Sequence, residues 1–93
     1  MPHRKIIRDA FEPEQIEIAV RAYERALDFA QTSGDGDGDP RLKENIAHQI
    51  IEAGKESPTL SFLELTNRTI ARYRVRRATM MVAEARAARL RSG

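Results

Sequence analysis

The sequence predicts an all-α fold, a small three-helix arrangement with a long basic amphipathic C-terminal helix. Three observations carry that reading. Apolar residues recur at three- and four-residue spacing in two separate segments. No alternating strand pattern appears anywhere. After Pro58 no Pro or Gly interrupts the chain until Gly93.

The first helix is predicted from Pro13, whose fixed φ and missing N–H suit the first helical position. Glu14 and Glu17 lie near the positive end of its dipole. Ile16, Ala19, Val20, Tyr23, Ala26, Leu27 and Ala30 line its main face. Ile18, Ala22 and Phe29 form a second stripe, so contact on two sides is expected. The helix is expected to fade at Thr32-Ser33-Gly34.

The second helix opens at Asp39-Pro40, an N-cap followed by Pro at N1. Leu42, Ile46, Ile50 and Ala53 form its face, with Ala47 and Ile51 alongside. Gly54 reads as its C-terminal stop. The third opens at Ser57-Pro58, or a turn later at Ser61, where Ser61 and Glu64 fit a capping box. It is rich in Arg, Ala, Leu, Met and Glu, all good helix formers. It can run for some 30 residues, about 45 Å. Phe62, Leu63, Ile70, Tyr73, Met80 and Met81 are expected on one broad face. Two shorter helices cannot bury all of such a helix. It therefore ends near Arg77, frays, or meets another molecule.

The expected core is Ile16, Val20, Tyr23, Leu27, Leu42, Ile46, Ile50, Leu63 and Ile70. The expected organisation is a basic, mobile N-terminal segment (1–10), a helical domain (11–77) with an acidic Gly/Asp loop (33–39), and an Arg/Ala-rich helical extension (78–93).

With 93 residues the chain is one small domain, and no Cys is present. A disulfide scaffold, a thiolate metal site and a Cys nucleophile are thereby excluded. No apolar run approaches the roughly 18–20 residues of a spanning helix. The opening Met1-Pro2-His3-Arg4-Lys5-Ile6-Ile7-Arg8 has no apolar region of the kind a secretory signal carries. A cytoplasmic location and no membrane partner are the resulting expectations.

The net charge of +2 hides an asymmetry. From Asp9 to Asp39 there are nine acids and two bases. From Pro58 to Gly93 there are eight Arg and two Glu. Such a layout suits a self-complementary fold or a charged partner.

Several short patterns resemble a group of short, uncharacterised helical proteins of α-proteobacteria. They are Phe11-Glu12-Pro13-Glu14, Tyr23-Glu24-Arg25-Ala26-Leu27, Ile46-Ala47, Ile50-Ile51-Glu52-Ala53 and the turn Gly54-Lys55-Glu56-Ser57-Pro58. These mark helix boundaries over roughly half the chain. The resemblance implies a helical fold and a bacterial source, and it brings no activity with it. The acidic Gly-Asp loop and the longer Arg-rich end depart from the group.

Chemistry is sparse. Asp35, Asp37 and Asp39 alternate with Gly, which invites a calcium reading. Counted from Asp35, however, the sixth and twelfth EF-hand positions hold Pro40 and Ile46 instead of Gly and Glu. A flexible, solvated linker whose last Asp caps the next helix is the expectation. His3 and His48 are the two histidines. Glu44 and His48, four apart, make a helix-surface contact and fall short of a zinc ligand set. Ser33, Ser57, Ser61 and Ser92 sit where caps and turns are expected. No nucleophile elbow or phosphate loop is present. The expectation is no enzyme, no cofactor and no metal.

The sharpest feature is the Arg-rich helix. Arg68, Arg72, Arg76, Arg86 and Arg89 fall in one sector of the helical wheel. Arg77 lies amid the apolar face and needs a carboxylate or solvent. Three readings follow: a solvated surface, a face for a partner protein or a second copy, or a stripe for nucleic-acid phosphates. No base-reading element accompanies it. The function expected first is a non-catalytic interaction protein, a small regulator or adaptor that self-associates. The alternative is non-specific nucleic-acid binding through the Arg stripe.

Overall fold

The computed structural model describes residues 2–56 and 61–92. They form four α-helices: α1 (Pro2–Ala10), α2 (Pro13–Ser33), α3 (Leu42–Glu56) and α4 (Phe62–Ser92). Among the described residues there is no strand. The three helices expected from the sequence are therefore joined by a fourth. Residues 2–10 look like a charged terminus, yet they fold as α1 because Ile7 reaches the core and is fully buried. Arg4 adds an ion pair to Glu24 of α2 at 2.7 Å. A helix this short is marginal alone, so its packing on α2 and α3 holds it.

Pro13 begins α2, and Gly34 ends it in the left-handed conformation at φ 86°. Ala19, Ala22, Ala26 and Ala30 are buried on one face of α2. These small residues seat Ile46, Ile50 and Ala53 of α3 and Leu65 and Tyr73 of α4 in the same core. Contacts fix the directions. Arg21 lies over the Phe62 ring and Arg74 over the Phe29 ring, so α2 and α4 run the same way. Gln49 and Glu56 of α3 meet Arg72 and Arg68, so α3 runs the other way.

Of the expected core, Tyr23, Ile46 and Ile50 are buried. Val20, Leu27, Leu42 and Ile70 pack against it half-buried, and Ile16 is also half-buried. Leu63 is not in the core, since 65% of it is exposed. The buried line of α4 runs through Leu65, Thr66, Thr69 and Tyr73, which turns Leu63 outward. Met81 is exposed for the same reason. The buried hydroxyls of Thr66 and Thr69 donate to the carbonyls four residues earlier, each at 2.7 Å, so neither is left unpaired.

Gly54 does not end its helix, which continues to Glu56. The Phe11 ring occupies the space instead: a Cβ at Gly54 would stand 2.4 Å from Phe11 Cε1. Ala is favoured over Gly in a helix by about 1 kcal/mol, but overpacking costs about 1–3 kcal/mol. Gly54→Ala is expected to lose about 1 kcal/mol net in urea unfolding. A raised Tm would show that the ring does not sit there.

Asp39 caps α3, accepting the Arg41 N–H at 3.0 Å on Oδ1. Ser61 caps α4, its hydroxyl accepting the Glu64 N–H at 3.2 Å. Ser57 and Pro58, the earlier start expected for that helix, lie outside the described residues. The helix is continuous through Ser92. No described helix is long and apolar enough to cross a membrane. The whole spans 53 × 24 × 23 Å because the last half of α4 projects beyond the bundle.

Candidate interaction surface on the C-terminal helix

The bundle-side half of α4 is tied down by its arginines. Arg68 Nη1 reaches Glu56 Oε2 at 3.2 Å. Arg72 grips the other oxygen of Glu56 and donates from Nε to Gln49 Oε1 at 3.0 Å. Two of the five arginines expected on a partner face are therefore engaged within the chain. Arg76 and Arg86 are exposed, with no bond partner shown among the described residues. Arg89 is exposed on the projecting half. The five share a sector of the wheel, yet the fold divides them between an internal clamp and a solvent face.

The Gly/Asp loop is not a free linker. It wraps as successive turns, with the Gly36 N–H on the Ala30 carbonyl at 3.0 Å. Three bonds dock it on α4. Arg74 Nε donates to Asp35 Oδ2 at 2.8 Å, Tyr73 Oη to Asp39 Oδ2 at 2.8 Å, and Arg77 Nη2 to the Asp37 carbonyl at 2.8 Å. Arg77 thus finds a backbone oxygen. Asp35 and Asp39 turn to separate partners, Arg74 and Tyr73. Among the described residues no three His, Asp or Glu side chains converge.

Asp39 is the hub. Its Oδ2 also accepts the Asn45 side-chain amide at 3.0 Å. Partial burial pushes its carboxyl up, but the donors from Asn45, Tyr73 and Arg41 and the Arg77 charge outweigh this and hold it below the usual carboxylate range. Burial, then the Asp39 carboxylate, pushes the Tyr73 phenol up. The Arg74 guanidinium beside Asp35 holds its carboxyl low.

Between α3 and α4 runs an open groove of about 830 Å³, lined by Glu44, His48, Glu52, Arg72, Arg76 and Val75 among others. Glu44 and His48 lie 4.0 Å apart within it, the expected helix-surface contact. The groove mixes both charges and aims no group at a common point.

Beyond Arg77, α4 has a different character. Met81, Val82 and Leu90 are exposed, Leu90 to 84%. On the outer side of the helix Ala71, Val75, Ala78, Val82 and Ala85 are all exposed. Val75 is exposed to 68% and Val82 to 54%. At 100° per residue these five fall within about 80° of one another. That sector lies opposite the line of Leu65, Thr69 and Tyr73 that faces the core. Sequence reasoning looked for one apolar face and missed this second one, although its 4-3-4-3 spacing was visible. No protein-family model, no curated protein and no solved structure matches the chain.

Proposed function

We propose that the chain is a non-catalytic protein-interaction module, a small adaptor or regulator, with α4 as its docking element. One observation carries the reading: about 15 residues of α4 stand clear of the bundle with Met81, Val82 and Leu90 in solvent. A helix of that length is marginal in water without a partner. Apolar side chains held outward on such a helix favour a protein surface as that partner. The mixed groove and the diverging carboxylates support a binding role over catalysis.

A photo-crosslinking residue at Val82, with Gln31 on the exposed side of α2 as control, tests this in the source cells. Nuclease-resistant, protein-sized adducts are expected from position 82 and none from 31. Their absence from position 82 sinks the reading.

The second reading is non-specific nucleic-acid binding, favoured by the unengaged Arg76 and Arg86. Its test substitutes Arg76, Arg86 and Arg89 by Gln, leaving Arg68 and Arg72 to hold Glu56. The expected outcome for that reading is salt-sensitive DNA or RNA binding that weakens in the triple variant. Unchanged affinity removes it.

A further inference from the structure

We infer that the partner of α4 is a second copy of this chain, paired antiparallel along its outer face. The inference rests on the docking role given to α4 above and names the occupant.

The outer face of α4 is self-complementary. Residues 64, 68, 71, 75, 78, 82, 85 and 89 follow one another at alternating spacings of four and three, the seam of a two-stranded coiled coil. They read Glu, Arg, Ala, Val, Ala, Val, Ala, Arg. Turned end for end about the midpoint between Arg76 and Arg77, the seam sets Val75 against Ala78 of the second copy. It sets Val82 against Ala71 of the second copy. Large meets small in the four central layers, which fills each layer without a void.

Charge favours the same alignment. The seam opens with Glu64 and closes with Arg89, so an antiparallel pair places opposite charges together at both ends. Arg86 flanks the same end, where the second copy carries Glu64, its Glu56 being already shared between Arg68 and Arg72. Parallel pairing would place Arg89 against Arg89 and Glu64 against Glu64. The seam positions from Ala71 to Ala85 are all apolar.

The geometry leaves room. The outer face points away from the core, so the two bundles lie on opposite sides of the paired helices. Each projecting half then lies on the half of α4 that the other bundle supports. One arrangement covers both the exposed valines and the unsupported length.

The experiment uses the full chain. Sedimentation velocity over rising concentration is expected to show a dimer. Val75→Glu and Val82→Glu are expected to lose it at concentrations where the native chain dimerises. Because both sites are exposed in the single chain, their melting curves should keep the native Tm at dilutions where the native chain is itself monomeric, and fall below it where the native chain dimerises. The native chain has no Cys, so disulfides report register cleanly. Ala71→Cys and Val82→Cys are expected to crosslink when mixed, and neither alone. A monomer at every concentration overturns the pairing, and so does efficient crosslinking of either single variant alone. If the chain stays monomeric while position 82 captures a protein of another mass, self-pairing fails and the docking reading stands. If nothing is captured, both fail.

Discussion

Ile46→Ala is expected to remove about 2–5 kcal/mol of stability, the range for truncating a buried Ile. Ile46 has no exposed surface. It sits among the alanines of α2, which are themselves too small to move in and fill the space. The cavity therefore stays open, which argues for the upper part of the range. For a chain of this size, Tm falls by more than about 10 °C. Leu63→Ala is the matched control. It removes a solvent-facing side chain and changes stability by no more than about 0.5 kcal/mol. Urea unfolding of the two variants measures both. Equal losses would show that the core line of α4 runs through Leu63 after all.

Asp39→Ala is expected to cost about 2–4 kcal/mol, combining a lost helix cap with a buried hydroxyl left unpaired. One carboxylate holds three groups from two helices: the Arg41 N–H, the Asn45 amide and the Tyr73 hydroxyl. Asp39→Asn keeps acceptor oxygen for some of these and should lose less. The pH dependence gives a second readout. The folded carboxyl titrates below its ordinary value. Its contribution is therefore present above the unfolded value near pH 3.9 and is lost as pH falls through the folded one. The gap between native chain and Asp39→Ala should be constant from about pH 6 to 8 and narrow below about pH 4. A gap that persists in acid would mean that the carboxylate charge is not what holds the hub.

Much of the fold was legible in the sequence because its signals are local. Pro13, Asp39, Ser61 and Gly34 mark helix ends through their own φ or side-chain oxygen, and they do so in the structure. The apolar spacing of α2 and α3 places Tyr23, Ile46 and Ile50 in the core as expected. What was not legible depended on residues far apart in the chain. Nothing near Gly54 announces that Phe11 will lie against it, so a packing glycine resembles a stop. Nothing within residues 2–10 says that one Ile will find a place between α2 and α3. The Gly/Asp loop has the composition of a linker, and only Tyr73, Arg74 and Arg77, nearly forty residues on, give it a docking surface. The candidate site was half legible. The charge of the C-terminal helix is plain in the sequence, but the division of its arginines is set by Glu56 and Gln49 of a neighbouring helix.

The docked loop also determines how α4 moves. Among the bonds shown between described residues, that of Arg77 to the Asp37 carbonyl is the furthest along α4 that reaches the bundle, and about 22 Å of helix follow it. The helix is therefore a cantilever with its support at one end. A tilt of about 10° at Arg77 would carry the tip through about 4 Å. Small changes in how Asp35, Asp37 and Asp39 hold the helix are thus magnified at its far end. The acidic loop is the fulcrum of a lever, and the aim of the arm is decided at its grip.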